Sequence, residues 1–179
     1  MRKRFLSFGV PVVAVLAVLG GAWIFDARSG AALDESGGSL GIRMDDVRQG
    51  ADVYFLAPTP INRSGRALEL LAAAPDQTPA GLEFVEARVY KTAEFLDGVP
   101  ACWATGRGEG ADPARHKSTP IAGQRIGAHA DLGAVIYLHF RVSSAQRPLI
   151  SSGVRFSYRR GFREHSQVLG GEYSVGELT

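Results

Sequence analysis

Residues 5–25 carry no charge and a single polar side chain, Ser7, and nothing else in the chain constrains its fate so strongly. A helix rises about 1.5 Å per residue, so about 20 apolar residues cross a hydrocarbon layer about 30 Å thick. The run therefore predicts a transmembrane anchor, marked along its length by Phe5, Val12, Leu16, Trp23 and Phe25. Gly9, Pro11, Gly20 and Gly21 weaken a soluble helix, yet glycine and proline are more frequent in membrane spans. With no polar face, the run does not suit a core helix of a soluble domain. Arg2, Lys3 and Arg4 precede it as a topogenic tail (residues 1–4) that the positive-inside rule holds in the cytoplasm. Trp23 falls at the far end, where an indole favours the headgroup layer. The expected topology is single-pass at the cell membrane, with everything from Asp26 onward extracytoplasmic. The competing expectation is a cleaved signal peptide and a secreted product, cut near Ser29, where Ala27-Arg28-Ser29 has small-x-small form. A signal peptide needs an apolar region of only about 7–15 residues, so the uncleaved signal-anchor is preferred.

The net charge of +2 belongs to the tail. Of the 20 Lys and Arg, three lie at positions 2–4; the 17 that remain face 18 Asp and Glu, a balance of −1. The chain beyond the anchor is nearly neutral, which gives no support to nucleic-acid binding. The partners expected are the lipid bilayer, through the anchor, and a protein or cell-envelope component. Cys102 is the sole cysteine, so no internal disulfide is available and the core must carry the stability. Its preferred role is that of a small, buried hydrophobe. A reactive thiol or an intermolecular disulfide is the sharper reading of an odd cysteine outside the cell.

Residues 26–50 are rich in Gly, Ser and acid and show no sustained period, as expected of a flexible stalk with one short strand near 40–44. From residue 51 the pattern is that of strands. Val53-Tyr54-Phe55-Leu56 is β-prone. Asn62-Arg63-Ser64-Gly65 is a turn sequence. Residues 67–73 place Leu68, Leu70 and Ala72 on one face until Pro75 ends the strand, and Leu71 breaks the alternation. In 82–90, Val85, Ala87 and Val89 face inward and Phe84 outward unless a bulge shifts the register. Residues 97–127 form a long irregular loop, with short edge strands at 120–121 and 125–126. Residues 134–142 alternate most clearly: Ile136, Leu138, Phe140 and Val142 on the buried face, and Val135, Tyr137, His139 and Arg141 on a wet one. Residues 154–158 and 162–168 pair as a hairpin about Arg160-Gly161, and 171–179 read as a fraying tail.

About seven short strands without an amphipathic helix predict an all-β fold: an antiparallel β-sandwich of immunoglobulin-like (Ig-like) type over 51–170. Three motifs recur in order: Ile61-Asn62-Arg63-Ser64-Gly65, then Gly81-Leu82-Glu83-Phe84-Val85, then Gly153-Val154-Arg155-Phe156-Ser157-Tyr158-Arg159. With these the chain resembles uncharacterised actinobacterial-type membrane-anchored proteins that carry one extracytoplasmic Ig-like domain. The resemblance implies that fold and brings no activity or site residues with it.

No catalytic constellation is recognisable. A sortase places its cysteine after its histidine, at a strand end reading Thr-Leu-x-Thr-Cys; here Cys102 precedes His116, His129, His139 and His165. The four histidines lack the tight spacing of metal ligands, and His139 and His165 are the weak candidates should their strands meet. Gly106-Arg107-Gly108-Glu109-Gly110 shares only its glycines with a phosphate-binding loop, because no helix follows. Asn62-Arg63-Ser64 matches a glycosylation acceptor, a motif frequent by chance. Arg155, Arg159, Arg160 and Arg163 cluster on the hairpin and form a candidate patch for an anionic partner, against a preferred reading as a solvated edge. The expectation is a non-enzymatic, membrane-tethered binding domain that needs no cofactor. The alternatives are a small copper- or zinc-handling domain and, more remotely, a cysteine-dependent enzyme at Cys102.

Overall fold

Strand alternation in 135–142 gives one face of four apolar side chains, and that face needs a second layer to cover it. The computed structural model supplies one. It describes residues 31–35, 40–95, 98–106 and 112–176. The anchor at 5–25, its basic tail, the alternative cleavage position near Ser29 and residues 177–179 lie outside the described residues. The chain divides into two units, Met1–Ala31 and Ala32–Thr179. Among the described residues no helix is long and apolar enough to cross a membrane.

The strands in chain order are β1 (Leu33–Glu35), β2 (Gly41–Met44), β3 (Asp52–Leu56), β4 (Pro60–Asn62), β5 (Leu68–Gln77) and β6 (Leu82–Tyr90). They continue as β7 (Cys102–Ala104), β8 (Ser118–Pro120), β9 (Arg125–Ile126), β10 (Val135–Val142), β11 (Leu149–Arg160) and β12 (Arg163–Val175). Two five-stranded sheets form, ordered β7-β3-β10-β6-β8 and β2-β12-β11-β5-β9, and β1 pairs with β4 apart from them. Every pairing is antiparallel except β2 with β12. The fold is all-β, as expected.

One core lies between the sheets. Val53, Phe55, Ile136, Leu138, Phe140 and Val142 of the first sheet are fully buried, as are Leu70, Val154, Phe156, Tyr158, Tyr173 and Val175 of the second. Each such aliphatic or Phe side chain contributes about 1.5–3 kcal/mol of transfer free energy. Phe140 packs edge-on to both Phe55 and Phe84, with centroids 6.0 and 5.7 Å apart.

Three bulges reset the alternation. On β6 the register shifts at Val85, because His139 pairs with Glu86 and Phe140 with Phe84. Phe84 therefore turns inward, and Val85, expected inside, is about half exposed. On β5 the extra residue is Leu71, since Tyr158 pairs with Leu70 and Ser157 with Ala72. The buried set becomes Leu68, Leu70 and Ala73, and Ala72 is exposed. The third bulge lies on β12, where Gly170 and Gly171 stand opposite the single residue Gly153 of β11; Gly153 has φ +65°, and a Cβ there would meet Val168 Cγ1 at 2.9 Å. The extra residue is left out of the ladder and bends the bulged strand locally.

Three boundaries move outward. Pro75 does not end β5, because β9 covers only Leu68 and Glu69 on that side; further along, the strand is an edge, and a missing N–H costs no ladder bond there. Over 32–35 and 40–50 the expected stalk is part of the fold, with Ala32, Leu33, Ile42, Met44 and Val47 buried and β2 paired along β12. Its composition resembled a linker because only alternate residues of such short strands face the core. The expected C-terminal tail is likewise strand as far as Val175, with Tyr173 and Val175 fully buried.

Candidate functional site

Two places combine charged and aromatic groups, one on each sheet. The first is the outer face of β7-β3-β10-β6. Cross-strand pairing sets Trp103 opposite Tyr54, Tyr54 opposite His139, and His139 opposite Glu86, a row across four strands. Tyr54 stacks on His139 at 4.4 Å and lies 5.9 Å from Trp103. His139 Nε2 is 3.0 Å from Asp52 Oδ1, and Arg141 Nε donates to the same oxygen at 3.1 Å. Tyr54, Tyr90, Phe95, Trp103 and Tyr137 form a second apolar cluster.

That cluster corrects the expected wet face of β10: Tyr137 is buried, because the connection between β6 and β10 folds over it. Phe95 packs against Tyr90 and Tyr137 at 5.9 and 5.7 Å and meets His116 at 4.5 Å. The Tyr137 hydroxyl donates to the Pro100 carbonyl. Burial pushes the Tyr54 hydroxyl up to about 12, and the neighbouring Tyr90 and Asp52 add to that. Burial raises Tyr90 and Tyr137 as well. The Trp103 indole N–H is buried and has no acceptor among the described residues, so Trp103 is held by apolar packing.

The rings pack on one another, and Asp52 is engaged by both His139 and Arg141. Cys102, next to Trp103 on β7, is half-buried and packs against the core between the sheets.

His165 lies on the other sheet, opposite Tyr158 in the β11–β12 ladder and stacked on it at 5.5 Å. The two histidines named as weak metal candidates therefore belong to different sheets. Among the described residues no group of three or more His, Cys, Asp or Glu is placed to hold a metal ion. Asn62 is buried, so it is not presented as a glycosylation acceptor in the folded domain. Its amide donates to the carbonyls of Arg66, Ile126 and Gly127, and its oxygen accepts from Ser64, which organises the turn that follows.

The second place is the end of the β11–β12 hairpin. Arg160 and Arg163 face each other across a two-residue turn. Gly161 has φ +63°, suited to the first position of a type II′ turn, and Phe162 at the tip is fully exposed. Arg159 donates to Glu164 at 3.0 Å. It also lines an open cleft of about 390 Å³ with Arg66, Arg125, Glu69 and Gly161. Arg155, grouped with these arginines by sequence, lies four residues up the strand, about 13 Å away, where it pairs with Asp76. Arg66 and Arg125 take its place. Sequence reasoning missed both, because they come from separate segments that only the β9–β5–β11 pairings join. Arg63 stands at the same end, paired with Asp34 at 3.0 Å. The Glu35 backbone N–H and the Arg63 guanidinium hold the Asp34 carboxyl below its ordinary range.

No protein-family model matches the chain, and a search of curated proteins returns no match. Among solved structures, the chain shows similarity to a family 123 glycoside hydrolase from Clostridium perfringens, at 5% identity and a TM-score of 0.35. The match covers 78% of this chain and 23% of that one, so the chain spans about a quarter of that protein's length. A likeness at that score carries no argument about activity.

Proposed function

We propose that this is a single-pass, membrane-tethered protein whose extracytoplasmic Ig-like domain binds an anionic partner and performs no catalysis. The uncharged run at 5–25 behind Arg2, Lys3 and Arg4 supports the tether and its orientation. The strand order supports the Ig-like class. Strands β3-β10-β6 occupy the places of B, E and D, and β5-β11-β12 those of C, F and G. The position beside β3 is filled by β7, which comes from the connection between β6 and β10.

The observation that carries the binding assignment is the convergence of Arg66, Arg125 and Arg159 in one open cleft with a single carboxylate, Glu69, among its lining residues. Guanidinium groups so placed suit phosphate or carboxylate oxygens. The test has two arms. Protease added to intact cells is expected to remove the domain, and a shielded domain overturns the orientation. Full-length protein in detergent is expected to bind immobilised polyphosphate with strong salt sensitivity. The double variant Arg66→Ala/Arg125→Ala should lose that binding, and equal retention of variant and parent overturns the cleft.

A further inference from the structure

We infer that the β11–β12 hairpin tip is a second membrane contact: Phe162 enters the interfacial layer of an anionic bilayer, and Arg160 and Arg163 meet its phosphates. The inference rests on the tether proposed above and names the bilayer's own headgroups as the partner of the basic end.

Three observations converge on it. The first is the tip itself. Phe162 is fully exposed and flanked by Arg160 and Arg163, at the turn of the two longest strands in the domain. An exposed aromatic ring beside basic groups matches the chemistry of the membrane interface, where apolar burial and attraction to anionic lipid add together.

The second is where the chain enters the domain. The Ala32 N–H donates to the Tyr158 hydroxyl at 3.2 Å, two residues before Arg160. The Leu33 N–H donates to Gln167 at 3.0 Å, and the Gly170 N–H donates to Glu35 at 2.8 Å. Strand β1 therefore runs away from the hairpin tip, and its N-terminal end at Ala32 lies toward the tip's end of the domain. Seven peptide units separate Phe25 from Ala32, which reach at most about 25 Å in any conformation. The expected stalk of 25 residues would have lifted the domain clear of the headgroups; β1 and β2, which lie within it and pair with the rest of the domain, shorten it.

The third is charge. Arg63, Arg66, Arg125, Arg159, Arg160 and Arg163 gather at this end, whereas the chain from Asp26 onward has a balance of −1. The carboxylates beside them are Asp34, Glu69, Asp131 and Glu164, so the end is locally positive. A basic surface within about a Debye length of an anionic bilayer is drawn to it.

The experiment places full-length Phe162→Trp in vesicles containing lipids brominated in the upper acyl chain. Wild type, whose indoles are Trp23 and Trp103, serves as the background. In phosphatidylglycerol vesicles the tip indole is expected to shift to the blue and lose emission relative to that background. High salt, or Arg160→Ala/Arg163→Ala in the same chain, should reverse both changes. A tip indole that stays unquenched while Trp23 is quenched overturns the hairpin contact and leaves the tether standing. Loss of Trp23 quenching overturns the tether, and the inference with it. Equal quenching in phosphatidylcholine overturns the role of the arginines. Phe162 is fully exposed among the described residues, so the substitution is expected to leave folding intact; slowed hydrogen exchange at 160–163 in wild type, on anionic vesicles only, is the label-free check.

Discussion

The outer face of the first sheet presents Tyr54, Trp103, Tyr137 and Tyr90, whereas the corresponding face of the second presents Arg155, Ser157, Arg159, Ser166 and Ala72. The aromatic face is covered by the chain's own connection, with Phe95 on its rings and β7 and β8 along the two edges of the sheet. Among the described residues the polar face has no such cover; its charges pair along the surface, Arg155 with Asp76 and Arg159 with Glu164. A sandwich needs only one buried face per sheet, so cover on a second face follows the side chains that face carries. The covered sheet has spent its chemistry on internal packing. The bare sheet keeps exposed charge and an exposed Phe162 at the hairpin tip, and it is there that we propose binding.

The sharpest way to break this contrast is Trp103→Ala. Removing a buried tryptophan costs about 3–5 kcal/mol; urea unfolding of the variant should show a loss of that order, and a loss below about 1 kcal/mol would mean that the aromatic face needs no cover.

A smaller effect concerns pH. Buried Tyr54 ionises only near 12, against an ordinary value of 10.0. The unfolded chain therefore gives up that proton first, and the stability Tyr54 contributes is fully present below pH 10 and lost as pH rises through about 12. Tyr90 and Tyr137 shift in the same direction on the same face. Melting temperatures followed from pH 9 to 12 should fall, and Tyr54→Phe should flatten the slope; an unchanged slope would place Tyr54 in water.

The smallest effect belongs to the other sheet. Ser157→Ala and Ser166→Ala, opposite each other on the bare face, should each change stability by no more than about 0.5 kcal/mol in the same urea assay. A larger loss would show that this face is organised by more than solvation.

Alternation made β3, β10 and the β11–β12 hairpin legible in the sequence, because period two survives wherever one face is buried. It failed at Val85 and Ala72, where one extra residue inverts the phase beyond it. It failed also at Tyr137: polar-capable neighbours such as His139 and Arg141 look like a wet face, and the cover comes from a segment more than 30 residues away in the chain. The three motifs behind the family resemblance mark positions of geometric constraint. Asn62 ties a turn together, Gly81 would place a Cβ 2.4 Å from that of Ser144, and Gly153 faces a bulge in β12. The hairpin arginines were half legible. Arg159, Arg160 and Arg163 are adjacent in sequence, but Arg66 and Arg125 join them only through strand pairing, and Arg155 leaves the group because it lies farther along the strand.

The central claim is that the bare basic end, and not the covered aromatic face, is the working surface of a tethered domain. Hydrogen exchange of the full-length protein in nanodiscs tests it most directly, with anionic lipid compared to zwitterionic. Slower exchange at 63–66 and 160–163 in anionic discs, with 98–106 unchanged, is the predicted result. Protection confined to 98–106, with the hairpin end unaffected, would contradict the account.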